Sequence, residues 1–397
     1  MSRSSPRRRA LPAVAVAAET VAHEADVDRA GPAPVWHGLG RAFPWLVVAI
    51  TVSSVLAVDA WAPEDRLLPS AGLAWLLFVG SSVHVAATAT LFAFSEVRGY
   101  ARHRPRRFIA FPLGCLVVSI AAGATLPREV SARLLLVFFG WQFWHYQKQN
   151  LGLAALAASA TGAPRLGRLE RTGIRCAGIA GVMALVAHPV VLQLVPLRPP
   201  AELAGAMFTA SRGLLAIAFG VTLAACLHRR LRSSAGGLES AAVLLLAVSF
   251  PAPLTLTQSP YLALGGLTLA HGLQYLLLVG LVVVGPTTTT GRLAAAGRLG
   301  GAHGVLLLAG VLALAGALAA ASHLHTGPGL TGAVFGAYVG IVIGHFLLDA
   351  GLWRLRDPFP RWWLIQLCCS WFRCDRQRNW PGRCSRPAED CWRSRSA

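Results

Sequence analysis

A polytopic, all-α bundle of about ten transmembrane helices with both termini cytoplasmic is the fold class that this chain of 397 residues predicts. Composition is the first reason: 55% of the residues are hydrophobic, 13% are charged and the mean hydropathy is +0.55, far from a water-soluble balance. Periodic oiliness is the second. Apolar runs of roughly 20 residues, each able to cross a ~30 Å hydrocarbon layer, recur between short breaks that carry Arg, Pro or Gly. They lie at about 42–60, 71–96, 108–124, 131–160, 173–196, 205–227, 239–257, 261–284, 302–322 and 330–352.

Basic residues supply the third. Counted break by break, one side carries 6, 5, 4, 3 and 2 of them and the other 1, 2, 1, 0 and 0. Cytoplasmic loops hold the positive excess, so residues 1–41 and the C-terminal tail are expected inside, which requires an even number of spans. The net charge of +19 then reads as topology and attraction to anionic lipid, not as a nucleic-acid footprint.

The segments flanking the spans differ in kind. Residues 1–41 contain PRRR followed by LPAVAVAA, an apolar stretch too short for a span, and are read as a disordered basic cytoplasmic leader. Residues 42–357 form the transmembrane domain. Residues 358–397 abandon the Ala/Leu/Val/Gly usage and carry Cys368, Cys369, Cys374, Cys384 and Cys391 without a CxxC pair or a histidine among them. That spacing does not suit zinc, and the tail is read as unstructured or non-native.

Function in such a chain is sought where ionisable groups lie at membrane depth, because each is costly there unless partnered. His84, His145, His271 and His345 fall in the second, fourth, eighth and tenth spans, 13, 12, 10 and 15 residues from the predicted outer ends. At ~1.5 Å per residue that is one layer, roughly 15 to 22 Å deep. Each is followed four residues later by a hydrogen-bonding side chain: Thr88, Gln149, Tyr275 and Asp349. Positions i and i+4 share a helix face, so converging histidines would carry these partners as a second tier. Lys148 and Gln274 stand at i+3 from His145 and His271, and Lys148 is the only lysine among 36 basic residues. It would either donate to the site or stretch toward the cytoplasmic interface.

Neutral imidazoles backed by hydrogen-bonding groups and one carboxylate are what a buried metal needs. The same residues could instead form structural interhelical hydrogen bonds, or line a proton or solute pathway. His188, beside Pro189, is a fifth candidate; His323 and His325 read as loop residues, and His23, His37, His103, His228 and His303 as surface. Imidazole-rich sites suit iron, copper or zinc. Scattered Cys115, Cys176 and Cys226 exclude an iron–sulfur cluster, and the chain lacks a P-loop, a nucleophile elbow and the paired histidine boxes of membrane di-iron enzymes. One histidine per helix around a single metal remains, or axial ligation of haem by a pair.

The segment His345-Phe-Leu-Leu-Asp349-Ala-Gly-Leu-Trp353-Arg354 resembles the closing motif of the bacterial and archaeal membrane β-carotene cleavage dioxygenases. That resemblance implies a helical membrane enzyme with histidines from separate helices around one non-haem Fe(II), cleaving a lipophilic substrate with O2 in the bacterial inner (plasma) membrane. His84, His145 and His271 would stand as ligands. His345 would be a fourth ligand or, with Asp349, a base, and Tyr275 or Lys148 would donate a hydrogen bond to oxygen. Tyr275, Thr88 and Asn150 stand where the family's motifs carry His and acidic residues, so the resemblance implies a distant relative with another substrate. A haem-binding membrane redox protein and a transporter or structural membrane protein are the other expectations. Membrane lipid and a lipophilic small molecule are the expected partners.

Overall fold

The computed structural model describes residues 34–61, 79–187, 200–232, 237–257, 261–284, 301–324, 329–354, 357–360 and 363. Among the described residues the only regular secondary structure is helical. In chain order these are α1 (Pro34–Trp61), α2 (His84–Leu91), α3 (Ser95–Arg102), α4 (Phe111–Thr125), α5 (Arg128–Ala160), α6 (Arg168–Ala187), α7 (Ala201–Arg232), α8 (Leu238–Ser249), α9 (Ala252–Leu256), α10 (Leu267–Val284), α11 (Gly301–Ser322) and α12 (Leu330–Leu352). Wider π-helical turns at Val79–Val83, Arg106–Ala110 and Tyr261–Gly266 lead directly into α2, α4 and α10.

Six described segments are long and apolar enough to cross a membrane: Ala42–Trp61, Arg106–Thr125, Ala201–Leu231, Leu262–Val283, Gly304–Ser322 and Leu330–Leu352. They mark an integral membrane protein. Two other predicted spans take different forms. Helix α5 has 33 residues, about 50 Å of helix, but carries the polar run WHYQKQN at its centre. The run predicted at 239–257 is broken at Phe250-Pro251 into α8 and α9, because proline cannot continue the hydrogen-bond ladder of the preceding turn.

Without water to drive helices together, membrane helices associate through close packing of small residues, and two such contacts set the positions of the site-bearing helices. The first joins α4 to α12. Gly332, Gly336, Gly340 and Gly344 recur every four residues along α12, making one bare stripe. A Cβ on Gly336 would lie 2.1 Å from the Ser119 carbonyl oxygen, and one on Gly340 would lie 2.7 Å from Leu116 Cα. From the other side, a Cβ on Gly123 would meet the Gly332 carbonyl oxygen at 2.1 Å. Backbone therefore rests on backbone. At the start of α12 the Gly329 N–H donates to the Ala124 carbonyl at 3.1 Å, from a left-handed φ of 77° that glycine adopts without strain. At its end Arg107 donates to the Ala350 carbonyl, and the Phe108 ring lies against Gly351.

The second contact sets the π turn before α2 on α10. A Cβ on Gly272 would stand 1.9 Å from the Gly80 carbonyl oxygen, and one on Gly80 would stand 2.6 Å from Leu269 Cα. Gln147 ties a third group together: its buried amide donates to the Ile174 carbonyl of α6 at 2.8 Å and the Ala247 carbonyl of α8 at 2.7 Å. Helix α6 lies along α7, with buried Glu170 paired to Arg229 and accepting from the Gly167 N–H at 2.6 Å.

Described side chains beyond residue 357 also pack on the helices. Phe359 stacks on Tyr100 at 4.3 Å, and Trp363, 1% exposed, meets Phe94 edge-on at 5.9 Å. These aromatic side chains complete the apolar core under α3. Asp357 anchors the turn before them, with Arg107 and Arg354 both at 3.5 Å and Arg104 at 3.7 Å. The leader before residue 34, the remaining tail with its five cysteines, His188 and His325 lie outside the described residues.

Candidate metal centre

Four helices each contribute one imidazole to a single buried cluster: His84 at the start of α2, His145 from α5, His271 from α10 and His345 from α12. Their rings form a closed quadrilateral. Centroids lie 4.9 Å apart for His84 and His271, 5.2 Å for His271 and His145, 5.5 Å for His145 and His345, and 5.0 Å for His345 and His84. Every contact is edge to face, so no two of these rings stack on each other.

Two overlapping ligand triads result. Donor atoms of His84, His271 and His345 all lie within 4.8 Å of one another, and the same holds for His145, His345 and Asp349. His345 belongs to both. Asp349 Oδ2 stands 3.6 Å from His345 Nε2 and 3.7 Å from His145 Nε2, too far for a hydrogen bond and close enough to share an ion.

Hydrogen bonds below the rings leave nitrogens free to bind metal. His84 Nδ1–H donates to the Gly80 carbonyl in the π turn, which leaves the Nε2 lone pair toward the cluster. A longer chain does the same for His345. As a carboxylate Asp349 can only accept, so it receives Tyr275 O–H at 3.0 Å and Trp353 Nε1–H at 3.2 Å. The Tyr275 oxygen must then accept from the Thr88 hydroxyl, 2.8 Å away, and Thr88 in turn accepts from His345 Nδ1–H at 2.7 Å. Every donor direction in this chain follows from its acidic end. Packing fixes the other two rings, with Tyr146 stacked on His271 at 4.0 Å and Phe346 on His145 at 4.4 Å.

The Nε2 atoms of His84, His145 and His345 and both nitrogens of His271 are buried without a hydrogen-bond partner among the described residues. Each such atom costs ~1–3 kcal/mol when left unmade. A structural hydrogen-bond network would pair them. At His84 and His345 an unpartnered Nε2 lies opposite an Nδ1 held by a carbonyl or a hydroxyl, and that pairing fits the donor set and outer hydrogen bonds of a protein metal site.

The other residues singled out by spacing fall into two groups. Thr88, Tyr275 and Asp349 make the chain just described. Gln149 instead donates to the His271 carbonyl at 3.1 Å and to Gln274 Oε1 at 3.3 Å, and Gln274 donates to Thr51 of α1 at 2.7 Å. These two glutamines brace α5, α10 and α1 and touch no imidazole ring nitrogen. Lys148 is not brought to the site: it is exposed, with its ammonium 5.7 Å from the Trp144 ring centre, whereas Gln274 at the same i+3 spacing from His271 is buried. His323 is exposed.

Several positions that matter were not legible from the polar pattern. Gly80 supplies a carbonyl, which no side-chain pattern announces. Tyr146 and Phe346 each adjoin a histidine in sequence and cover a histidine ring. Gln147 lies in the same polar run, yet joins helices instead of serving the centre. Arg212, inside the apolar stretch Ala201–Leu231, is a membrane-depth charge that a search among histidines passes over.

The fold and centre together define a class: an integral membrane helical protein with a buried histidine and aspartate cluster between its helices. Comparison with protein-family models, curated proteins and solved structures finds no match for this chain.

Proposed function

We propose that this protein is a membrane-embedded, metal-dependent oxidoreductase of the oxygenase type, with iron held by histidines between its helices and a lipophilic substrate drawn from the bilayer. The observation that carries this reading is the pair of overlapping ligand triads whose imidazoles keep buried nitrogens without a hydrogen-bond partner. The reading includes ten spans with both termini cytoplasmic, placement in a bacterial inner membrane, and distant kinship with the membrane β-carotene cleavage dioxygenases.

Iron(II), when bound, supplies the capacity to bind and activate O2. His84 and His345 would hold it through Nε2, with His271 completing one triad. His145 would face it from α5. Asp349 balances charge and keeps the Thr88–Tyr275 chain polarised. Tyr275 has its proton committed to Asp349, so its role in this reading is to orient His345, not to donate to oxygen.

Access from lipid is supported by the aromatic side chains beside His145. Trp141 is 39% exposed on the outer surface of α5, its ring lies 6.0 Å from that of Phe346, and Phe346 stacks on His145. An apolar substrate would reach the centre along this face without crossing water. A bare ion suits the cluster better than haem, since neighbouring rings are already in edge-to-face contact where an axial pair would have a macrocycle between them.

Purified full-length protein tests the assignment by elemental analysis and absorbance. About one iron per chain with no Soret band is expected. A Soret band would replace the reading with haem, and metal-free protein after gentle purification would overturn both. A conservative change tests the chain beneath the rings: Tyr275→Phe should lower metal affinity by ~10–100-fold while the helical signal and melting profile stay near wild type.

A further inference from the structure

Where α7 passes the break between α8 and α9 lies a cavity of about 240 Å³. Arg212, Leu215, Phe219, Ser249, Thr255 and Leu256 are among the residues lining it, and none belongs to the histidine cluster. Arg212 lies roughly 16 Å along α7 from Ala201, within an apolar stretch otherwise fit to span a membrane. A guanidinium there is costly unless something polar meets it.

The protein meets only part of that need. Arg212 Nε–H donates to the Thr255 carbonyl at 2.8 Å, an acceptor left over where α9 ends, and the guanidinium lies 4.5 Å over the Phe208 ring. Phe208 is one turn back on α7, so the exposed Arg212 side chain lies along its own helix and reaches across the cavity to α9. Its two Nη groups have no partner among the described residues, and neither does the Ser249 hydroxyl on the facing helix. Phe219 is 37% exposed and Leu256 69%, so the cavity opens sideways onto the surface that lipid chains cover. Its volume is below the ~300–1,000 Å³ of sites for whole drug-sized ligands, which suits a head group and the start of a chain.

We propose that this cavity binds an anionic amphiphile, with the oxyanion of a carboxylate or phosphate on Arg212 and Ser249 and the acyl chain leaving past Phe219 and Leu256. Guanidinium presents paired N–H groups that match either oxyanion, and the apolar rim selects for an attached chain.

Native mass spectrometry of the delipidated full chain tests this with four probes: dioleoylphosphatidylglycerol, oleate, dioleoylphosphatidylcholine and inorganic phosphate. One phosphatidylglycerol or one oleate should bind per chain, and which of them binds more tightly identifies the natural head group. Arg212→Gln should weaken that binding at least tenfold and Arg212→Lys should recover part of it. Ala216→Phe fills the same cavity with the charge left in place, so it should also weaken binding and keeps the test alive if Arg212→Gln does not fold. Equal binding of phosphatidylcholine, Arg212-dependent binding of inorganic phosphate alone, or wild-type affinity in both Arg212→Gln and Ala216→Phe would overturn the proposal. Iron content is measured separately and does not bear on it.

Discussion

His345→Ala should abolish metal binding, with a larger loss than the same change at His84, His145 or His271. The two triads intersect at this one residue. Removing His145 leaves His84, His271 and His345 as a complete set of three; removing His84 leaves His145, His345 and Asp349. Removing His345 leaves neither. It also removes the donor to Thr88, so the chain through Tyr275 to Asp349 loses its fixed direction at the other end. Metal per chain is expected below a tenth of wild type for His345→Ala and at an intermediate value for His145→Ala. Elemental analysis reads both, and the absorption bands of Co(II)-substituted protein report whether any residual ion keeps its geometry. Wild-type metal content in His345→Ala would sink the proposed ligand set.

Gly272→Ala should be nearly as damaging although it changes no ligand. The added methyl carbon would stand 1.9 Å from the Gly80 carbonyl oxygen, with the Gly80 carbonyl carbon at 2.6 Å. No flexible side chain is there to yield, so the π turn and α10 must separate. Overpacking typically costs ~1–3 kcal/mol, and a backbone-on-backbone clash belongs at the upper end or beyond. The carbonyl pushed away is the one that orients His84, and His271 adjoins the substituted position. Thermal unfolding should therefore fall together with metal content. Gly280→Ala, on the same helix about two turns away, meets nothing within 4 Å and should leave both unchanged. A Gly272→Ala protein with wild-type stability and metal content would show that the close approach is not needed.

The convergence of the four histidines was legible because membrane depth can be counted along each apolar run, and a shared depth with i+4 partners leaves few arrangements. Thr88, Tyr275 and Asp349 followed from the same counting. Gln149 and Gln274 did not, since a side chain two bonds longer can turn away from its helical neighbour to reach another helix. Lys148 illustrates the limit of spacing: being unique in the chain says nothing about which way it turns, and of the two side chains at i+3 from a site histidine Gln274 is buried while Lys148 is exposed. The helical class was legible from hydropathy alone, whereas the break at Pro251 needed the structure to show where the run of apolar residues stops being one rod. Trp363 was hidden for a different reason. Its surroundings in sequence look foreign to the domain, while its contacts are tertiary. The glycine stripe of α12 was in plain view as a four-residue repeat, but its meaning depends on α4, which the repeat does not name.

That repeat has a consequence for the placement of the centre along the membrane normal. A stripe of identical units every four residues offers α4 several equivalent seats, and α12 displaced by one unit would still find glycine against backbone. The displacement would carry His345 about 6 Å, more than the 4.8 Å within which the donor atoms of its triads all lie. Translational register must therefore come from the two ends of the helix. Gly329 hooks the Ala124 carbonyl at one of them, while Arg107 and Phe108 catch Ala350 and Gly351 at the other. Those stops convert a surface on which a helix could slide into one on which the imidazole halts level with its three counterparts.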